Sequence, residues 1–427
     1  MKHLAALLGA LLLSLCAVSC TPQGEADLVV LITNGTIRKA AEAAVAEFHK
    51  EHPDVSVQIV TTPGKDYYVK SLAMLAGRAR VDLLWLGQGF SSFSERGALL
   101  DLNPLMAADP GFSLKEYLPA VVNWYRTGSH LYGIPYGIDV QVIAYNEELF
   151  DAAKRPYPTA DATIGELIDA ARKLTDIDPQ TGRTRVAGLG FVDLDSRYHG
   201  LRLLDLERGV FALNTPEARR WLEENIELID RERVLQRGSD MESMDRLTAF
   251  LNQQVAMTSV TSWELAELRN RAPFRWNIAP IPYGIHGKRL GWASSGAFSI
   301  SRDSRHPELA WQLLKHLTGP AFQRHLFEIT IPSRPALYGE YRAASPRPPE
   351  NLEALFVMLD HMDPNPGLAV YPEVVSEWNY WKERALLKKS TIPEALSEAE
   401  RHINRILERH RKVYPGPSDN AREEVHP

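Results

Sequence analysis

The apolar positions of this chain change period along its length, and the first ninety or so residues show both periods. Leu28 to Ile32 is an uninterrupted apolar run with the look of a strand. After Asn34-Gly35-Thr36, the residues Ile37, Ala40, Ala41, Ala44, Val45 and Phe48 recur at helical spacing, and the pattern stops near His52-Pro53. Val55 to Val60 alternates as a second strand. Strand, helix, strand is the repeating unit of a parallel α/β sheet. Ligands of such sheets bind beyond the carboxyl ends of the strands, so Asn34 and Thr36 stand where a ligand meets a helix N-terminus. Simple helix capping accounts for Thr36 equally well.

The unit then repeats. A helix is expected from Tyr67 to Ala76 and a strand from Val81 to Leu86, which ends at Gly87-Gln88-Gly89 and puts Gln88 at a second carboxyl end. Val140 to Tyr145 reads as a buried strand that starts just after a bend at Pro135-Tyr136-Gly137. The pentapeptide from Ile134 to Ile138 recurs from Ile281 to Ile285, again between apolar segments. Proline fixes φ and glycine admits conformations closed to other residues. Two such connectors are therefore candidate crossings between two lobes, with a chance match of ordinary loops as the competing account. A third connector is expected at the proline-rich stretch from Ser345 to Asn351. Further helices are expected at Glu147–Ala153, Ile164–Leu174, Pro216–Glu232, Met241–Leu251, Pro307–Thr318 and Ile392–Arg409. A strand from Val255 to Ser259 leads into Trp263.

Composition narrows the picture only a little. The chain has 427 residues, 44% hydrophobic and 24% charged, which suits two or three domains with cores of their own. A formal charge of −6 argues against a general nucleic-acid binder. The N-terminus stands apart. Met1-Lys2-His3 precedes the apolar run Leu4 to Leu15, too short to span a bilayer, and then come Ala17-Val18-Ser19-Cys20. This ending resembles a bacterial lipoprotein signal, although a common form has Leu where Ala17 stands. Residues 1–19 are thus expected to be removed, and acylation of Cys20 explains the one cysteine left in an exported chain. Residues 20–27 make a tether, and 413–427 a polar, disordered tail.

No metalloprotease HExxH, nucleophile elbow, P-loop or dinucleotide fingerprint occurs, and the histidines lack ligand-like spacing. No catalytic residue, metal ligand or cofactor is assigned. Instead, aromatic residues fall at turns. Trp221 and Trp311 sit in helices and are expected in the core, whereas Trp263 follows a strand and Trp292 lies in the small-residue stretch from Gly291 to Gly296. Aromatic faces beside amides and carboxylates suit a sugar, whose C–H faces stack while its hydroxyls hydrogen-bond.

Three stretches are similar to the extracellular solute-binding proteins of ABC importers, in particular the sugar-binding and maltodextrin-binding branch. They run from His130 to Phe150, from Phe250 to Leu265, and from Asn277 to Gly284 followed by Gly291 to Leu326. The resemblance extends from about Leu28 to Leu407. It implies a two-lobed, type II periplasmic-binding-protein-like α/β fold with a ligand cleft between lobes joined by a hinge. The lobes would be residues 28–137 with 292–340, and 138–284 with 345–412. Hinge crossings would fall near Tyr136–Val140, Pro282–Trp292 and Pro335–Pro349. By position in the family pattern, Asn34, Thr36, Gln88, Tyr136, Asp139, Trp263, Trp292, Ser294 and Arg334 would line the cleft. The tryptophans would stack on sugar faces, and Asn34, Gln88, Asp139 and Arg334 would hydrogen-bond hydroxyls. The implied protein is a monomeric, membrane-anchored receptor that hands a sugar to an ABC permease. Alternatives are the same fold holding a polyamine, a sugar phosphate or a ferric ion, the last kept open by Tyr67-Tyr68 and Tyr380, and an exported glycoside hydrolase.

Overall fold

The computed structural model describes residues 26–33, 35–191, 194–235, 245–364 and 366–414, so Asn34, Cys20, the signal segment and residues 415–427 lie outside it. The expected opening unit is present as the strand Leu28–Thr33, the helix Thr36–Glu51 and the strand Val57–Thr62. All six predicted apolar positions of that helix are buried. The two strands pair in parallel, and Leu83–Leu86 pairs in parallel on the other side of the first. The helices Tyr67–Ala76 and Ile164–Leu174 keep their expected bounds, the second fixed by a capping box between Thr163 and Glu166. The long amphipathic helix runs four residues further than its pattern, Ile392–Val413, and starts with a capping box between Thr391 and Glu394. Pro216–Ile226 is α-helical, but residues 227–231 widen into a π-turn where continuous helix was expected.

Two strands organise everything else. Ile134–Asn146 is thirteen residues long, and Gly291–Ile300 runs antiparallel beside it. Pro135-Tyr136-Gly137 is therefore no turn. It lies inside the first long strand, where the register slips because Gly296 faces Gly137 while Ala297 faces Pro135, so Tyr136 is the extra residue of a bulge. Proline is tolerated there because a bulge needs no ladder donor. The stretch around Trp292 is likewise strand and not loop. The second copy of the pentapeptide shares none of this: it leaves the strand Trp276–Pro280 and runs into a turn at Gly287, with Tyr283 bridging to Thr163.

The core divides in two along those strands. Ile134 and Tyr136 pack in one apolar cluster with Leu31, Phe48, Phe93 and Trp311, whereas Ile138 through Tyr145 pack in another with Trp221, Phe250 and Met257. The returning strand makes the reverse passage, with Ala293 in the second cluster and Ala297, Phe298 and Ile300 in the first. The chain changes core again over residues 326–331, with Leu326 and Ile329 on the first cluster and Phe327 and Ile331 in the second, ahead of the proline-rich stretch. Trp221 and Trp311 are core residues, 1% and 2% exposed. The last two helices, Tyr371–Leu386 and Ile392–Val413, pack on the second core through Val374, Trp378, Leu396, Ile403 and Leu407.

Candidate functional site

The strand Leu83–Leu86 ends toward a cavity of about 890 Å3 that both halves of the molecule line. Gly87, Gln88 and Ser91 come from the first half. Thr261 and Trp263 come from the end of the strand Val255–Thr261, and Pro366 to Val375 from the approach to the late helices. Trp292, Ser294 and Ser295 belong to the crossing strand and form the floor. A second cavity of about 440 Å3 adjoins it, sharing Gln141, Arg246, Trp292 and Tyr371. Volumes of this order suit a small organic ligand.

Trp263 and Trp292 meet edge to face, with ring centroids 5.4 Å apart and planes at 81°. Trp263 is held by a short capped turn, in which Glu264 accepts from the Thr261 backbone N–H at 2.8 Å and from its hydroxyl at 2.7 Å. Both Glu264 oxygens also lie 3.0 Å from Nη2 of Arg246, which fixes that guanidinium at the boundary of the two cavities. Trp263 is 39% exposed, so part of its ring is open to a ligand.

Behind the floor lies a buried aromatic layer. Trp85 Nε1 donates to the Tyr136 hydroxyl at 2.6 Å, and the Tyr125 hydroxyl donates to the Ser295 carbonyl at 2.7 Å. A Cβ on Gly296 would come within 2.2 Å of the Tyr136 oxygen, so the close approach of ring and strand demands glycine. Burial pushes the Tyr136 phenol well above its ordinary range. Asp139 stands opposite Ser294 in the strand register and accepts from the Ser262 hydroxyl at 2.9 Å. Burial raises its carboxyl to about 7, against the lowering effect of hydrogen bonds from Ser262 and Thr330.

Of the residues expected in the cleft, Gln88, Trp263, Trp292 and Ser294 line the larger cavity. Tyr136 and Asp139 stand on the first crossing strand, Asp139 beside Ser294, and line neither cavity themselves. Thr36 begins its helix without a side-chain capping bond and lines neither cavity, and Asn34 falls outside the described residues. Arg334 is engaged elsewhere: it pairs with Glu116, its Nη2 donates to the Tyr117 hydroxyl at 2.6 Å, and its guanidinium lies 4.3 Å from that ring's centroid. Tyr67 is fully buried, with its hydroxyl on the Leu31 carbonyl at 2.8 Å. Residues the sequence reading passed over complete the walls: Trp124, Arg126, Gln141, Arg246 and Tyr371. The smaller cavity adds two ion pairs, Asp195 with Arg197 at 2.9 Å and Arg202 with Asp363 at 3.0 Å. Burial alone would raise the Asp195 carboxyl, but Arg197 outweighs it and holds the group below its usual range. Isolated Arg and Asp in a sequence of 427 residues carry no such signal, because the pairing partners come together only in the fold.

Beside the cavity wall a separate bridge joins the halves. Glu95 lies just after the helix Phe90–Ser94 of the first half, and its Oε2 is 2.6 Å from Nε2 of His410 on the last helix. Its other oxygen accepts from the Ala369 backbone N–H at 2.9 Å. The two side chains are only 13% and 11% exposed.

Residues 34–324 match the bacterial extracellular solute-binding protein family. The sn-glycerol-3-phosphate-binding periplasmic protein of Escherichia coli K12 is 25% identical over 293 residues, 64% of this chain and 65% of that protein. The chain thus aligns with just under two thirds of that relative's length. Among solved structures, an ABC substrate-binding protein of Listeria monocytogenes in complex with cycloalternan superposes with a TM-score of 0.78 at 24% identity, covering 89% of this chain and 98% of that one. The sugar-binding protein MalE of Xanthomonas citri gives 0.76 at 21% identity, covering 91% and 98%. These likenesses establish the two-lobed periplasmic-binding-protein fold. By the extent of its sequence match, this chain belongs to the bacterial extracellular solute-binding protein family.

Proposed function

We propose that the protein captures a sugar or oligosaccharide in the larger cavity and delivers it to an ABC permease. The observation that carries this reading is the perpendicular pair Trp263–Trp292 at the bottom of a cavity walled by both halves. Two indole planes at right angles offer a saccharide two faces, while Gln88, Ser294, Gln141 and Arg246 offer hydrogen bonds around them. Covering one aromatic of ~150–250 Å2 at ~25 cal/mol/Å2 gives roughly 4–6 kcal/mol gross. Micromolar affinity needs about 8 kcal/mol net, within reach of two aromatics and a few hydrogen bonds. The ligand would touch residues packed on both cores at once and so favour the closed arrangement. In this reading the lobes are residues 28–137 with 292 to about 330, and 138–284 with the remainder to 412; the boundary expected at 340 moves back because Ile331, Leu337 and Tyr341 pack in the second core. The receptor acts as a monomer, and acylated Cys20 tethers it to the cell membrane. Tryptophan fluorescence titrated against a panel of oligosaccharides is expected to change for at least one; a flat response to all of them sinks the reading.

A sugar phosphate is the second reading, favoured by the glycerol phosphate named for the Escherichia coli relative. A ligand that small would leave much of a cavity of about 890 Å3 unfilled.

The Glu95–His410 bridge adds a prediction about affinity. It touches neither cavity, yet it ties the first half to the last helix. Weakening it should lower the fraction of closed protein and with it the apparent affinity for every ligand alike. Glu95→Gln is expected to raise Kd by about threefold to tenfold for each sugar bound, as read by calorimetry. A loss confined to one sugar would contradict this role.

A further inference from the structure

The charged groups in the cavities are not balanced. The protein as a whole is acidic, with a formal charge of −6. Yet the described residues lining the larger cavity include two guanidiniums, Arg126 and Arg246, and no carboxylate. Arg246 is answered from outside by Glu264. Arg126 is answered by nothing of opposite sign: among the described residues no carboxylate pairs with it, and its one hydrogen bond is a long 3.5 Å contact to the Ser129 carbonyl. The smaller cavity leans the same way, with Asp195 and Asp363 set against Arg197, Arg202 and Lys382. A cationic cleft in an acidic protein focuses its field on anions and repels polyamines. A guanidinium without a partner beside stacking rings is suited to bidentate contact with a planar or tetrahedral oxyanion.

We propose that the saccharide bound here carries a negatively charged group, a carboxylate, sulfate or phosphate, and that Arg126 receives it at the wall of the larger cavity. This rests on the sugar reading above and narrows it. The aromatic pair holds the pyranose faces, and the anionic substituent reaches toward the hairpin Arg126–Leu131, where its charge is matched without displacing an existing ion pair. Neutral sugars would leave Arg126 with no partner of opposite charge.

The test is an array of neutral oligosaccharides and their counterparts bearing a uronate, a sulfate or a phosphate, probed with the purified mature protein. Calorimetry then follows on the tightest acidic glycan, its neutral counterpart, inorganic phosphate and glycerol 3-phosphate. The acidic glycan is expected to bind at least about 10-fold tighter than the neutral one, the range of one charged hydrogen bond. The preference should shrink at high salt and fall to within about threefold in R126Q, while R126K keeps part of it. A neutral glycan that binds as tightly as its acidic counterpart overturns this inference and leaves the sugar reading standing. Glycerol 3-phosphate binding as tightly as the acidic glycan overturns the saccharide part of both. Silence across the whole array overturns both together.

Discussion

Replacing Trp292 with alanine is expected to weaken sugar binding by about 30-fold to 1,000-fold, the loss of roughly 2–4 kcal/mol typical of a central aromatic anchor. The side chain stands on the floor shared by both cavities, so no part of a bound ligand is far from it. Trp263→Ala should cost a similar amount. Because the two rings touch, at 5.4 Å between centroids, the double variant should lose less than the sum of the two. The Trp263 substitution is also the cleaner one: its ring is 39% exposed, and removing it should move the melting temperature little. Calorimetry on both single variants and the double one checks the claim. Affinity within threefold of the parent in either single variant would show that the ligand does not stack there.

The second large effect is on stability. The Asp139 carboxyl is raised by burial from 3.8 to about 7 in the folded protein. Between those values the native state holds a proton that the unfolded chain has released, so stability falls as pH rises through the window. The slope is about 1.4 kcal/mol per pH unit, and the accumulated loss above neutrality is on the order of 3–4 kcal/mol. Asp139→Asn keeps an oxygen for the Ser262 hydroxyl but has nothing to titrate. The variant should match the parent near pH 4 and exceed it by a few kcal/mol at pH 8, as read from urea unfolding at several pH values. A stability difference that does not vary with pH would mean the carboxyl titrates normally.

What could be read from the chain follows the range of the interactions involved. The helices Thr36–Glu51, Tyr67–Ala76 and Ile164–Leu174 are written in local periodicity, and each was visible to within a residue or so. Pro135-Tyr136-Gly137 carries the local signature of a turn, but six residues of the returning strand pair with Ile134 to Val140 around it and hold it extended. Distant pairing outweighed local preference there. The same limit applies to the site. Gln88, Trp263, Trp292 and Ser294 follow strands or stand in them, where position alone marks them. Arg126 comes from a two-residue hairpin strand and Tyr371 from the first turn of a helix, and only the assembled fold brings them to one wall. Arg334 shows the converse, since Glu116 and Tyr117, distant in sequence, have already claimed it.

The two crossing strands are hydrogen-bonded to each other from Ala293 to Phe298 and from Ile134 to Val140. The link between the halves is therefore a ribbon, widened by Ile331–Pro332 pairing with Gly137 and Ile138 on its other side, and not a set of loose threads. A ribbon resists folding across its width but yields to torsion along its length, with each residue giving a few degrees. Opening of this molecule should look like wringing, distributed over half a dozen residues, and no single backbone position should act as the pivot.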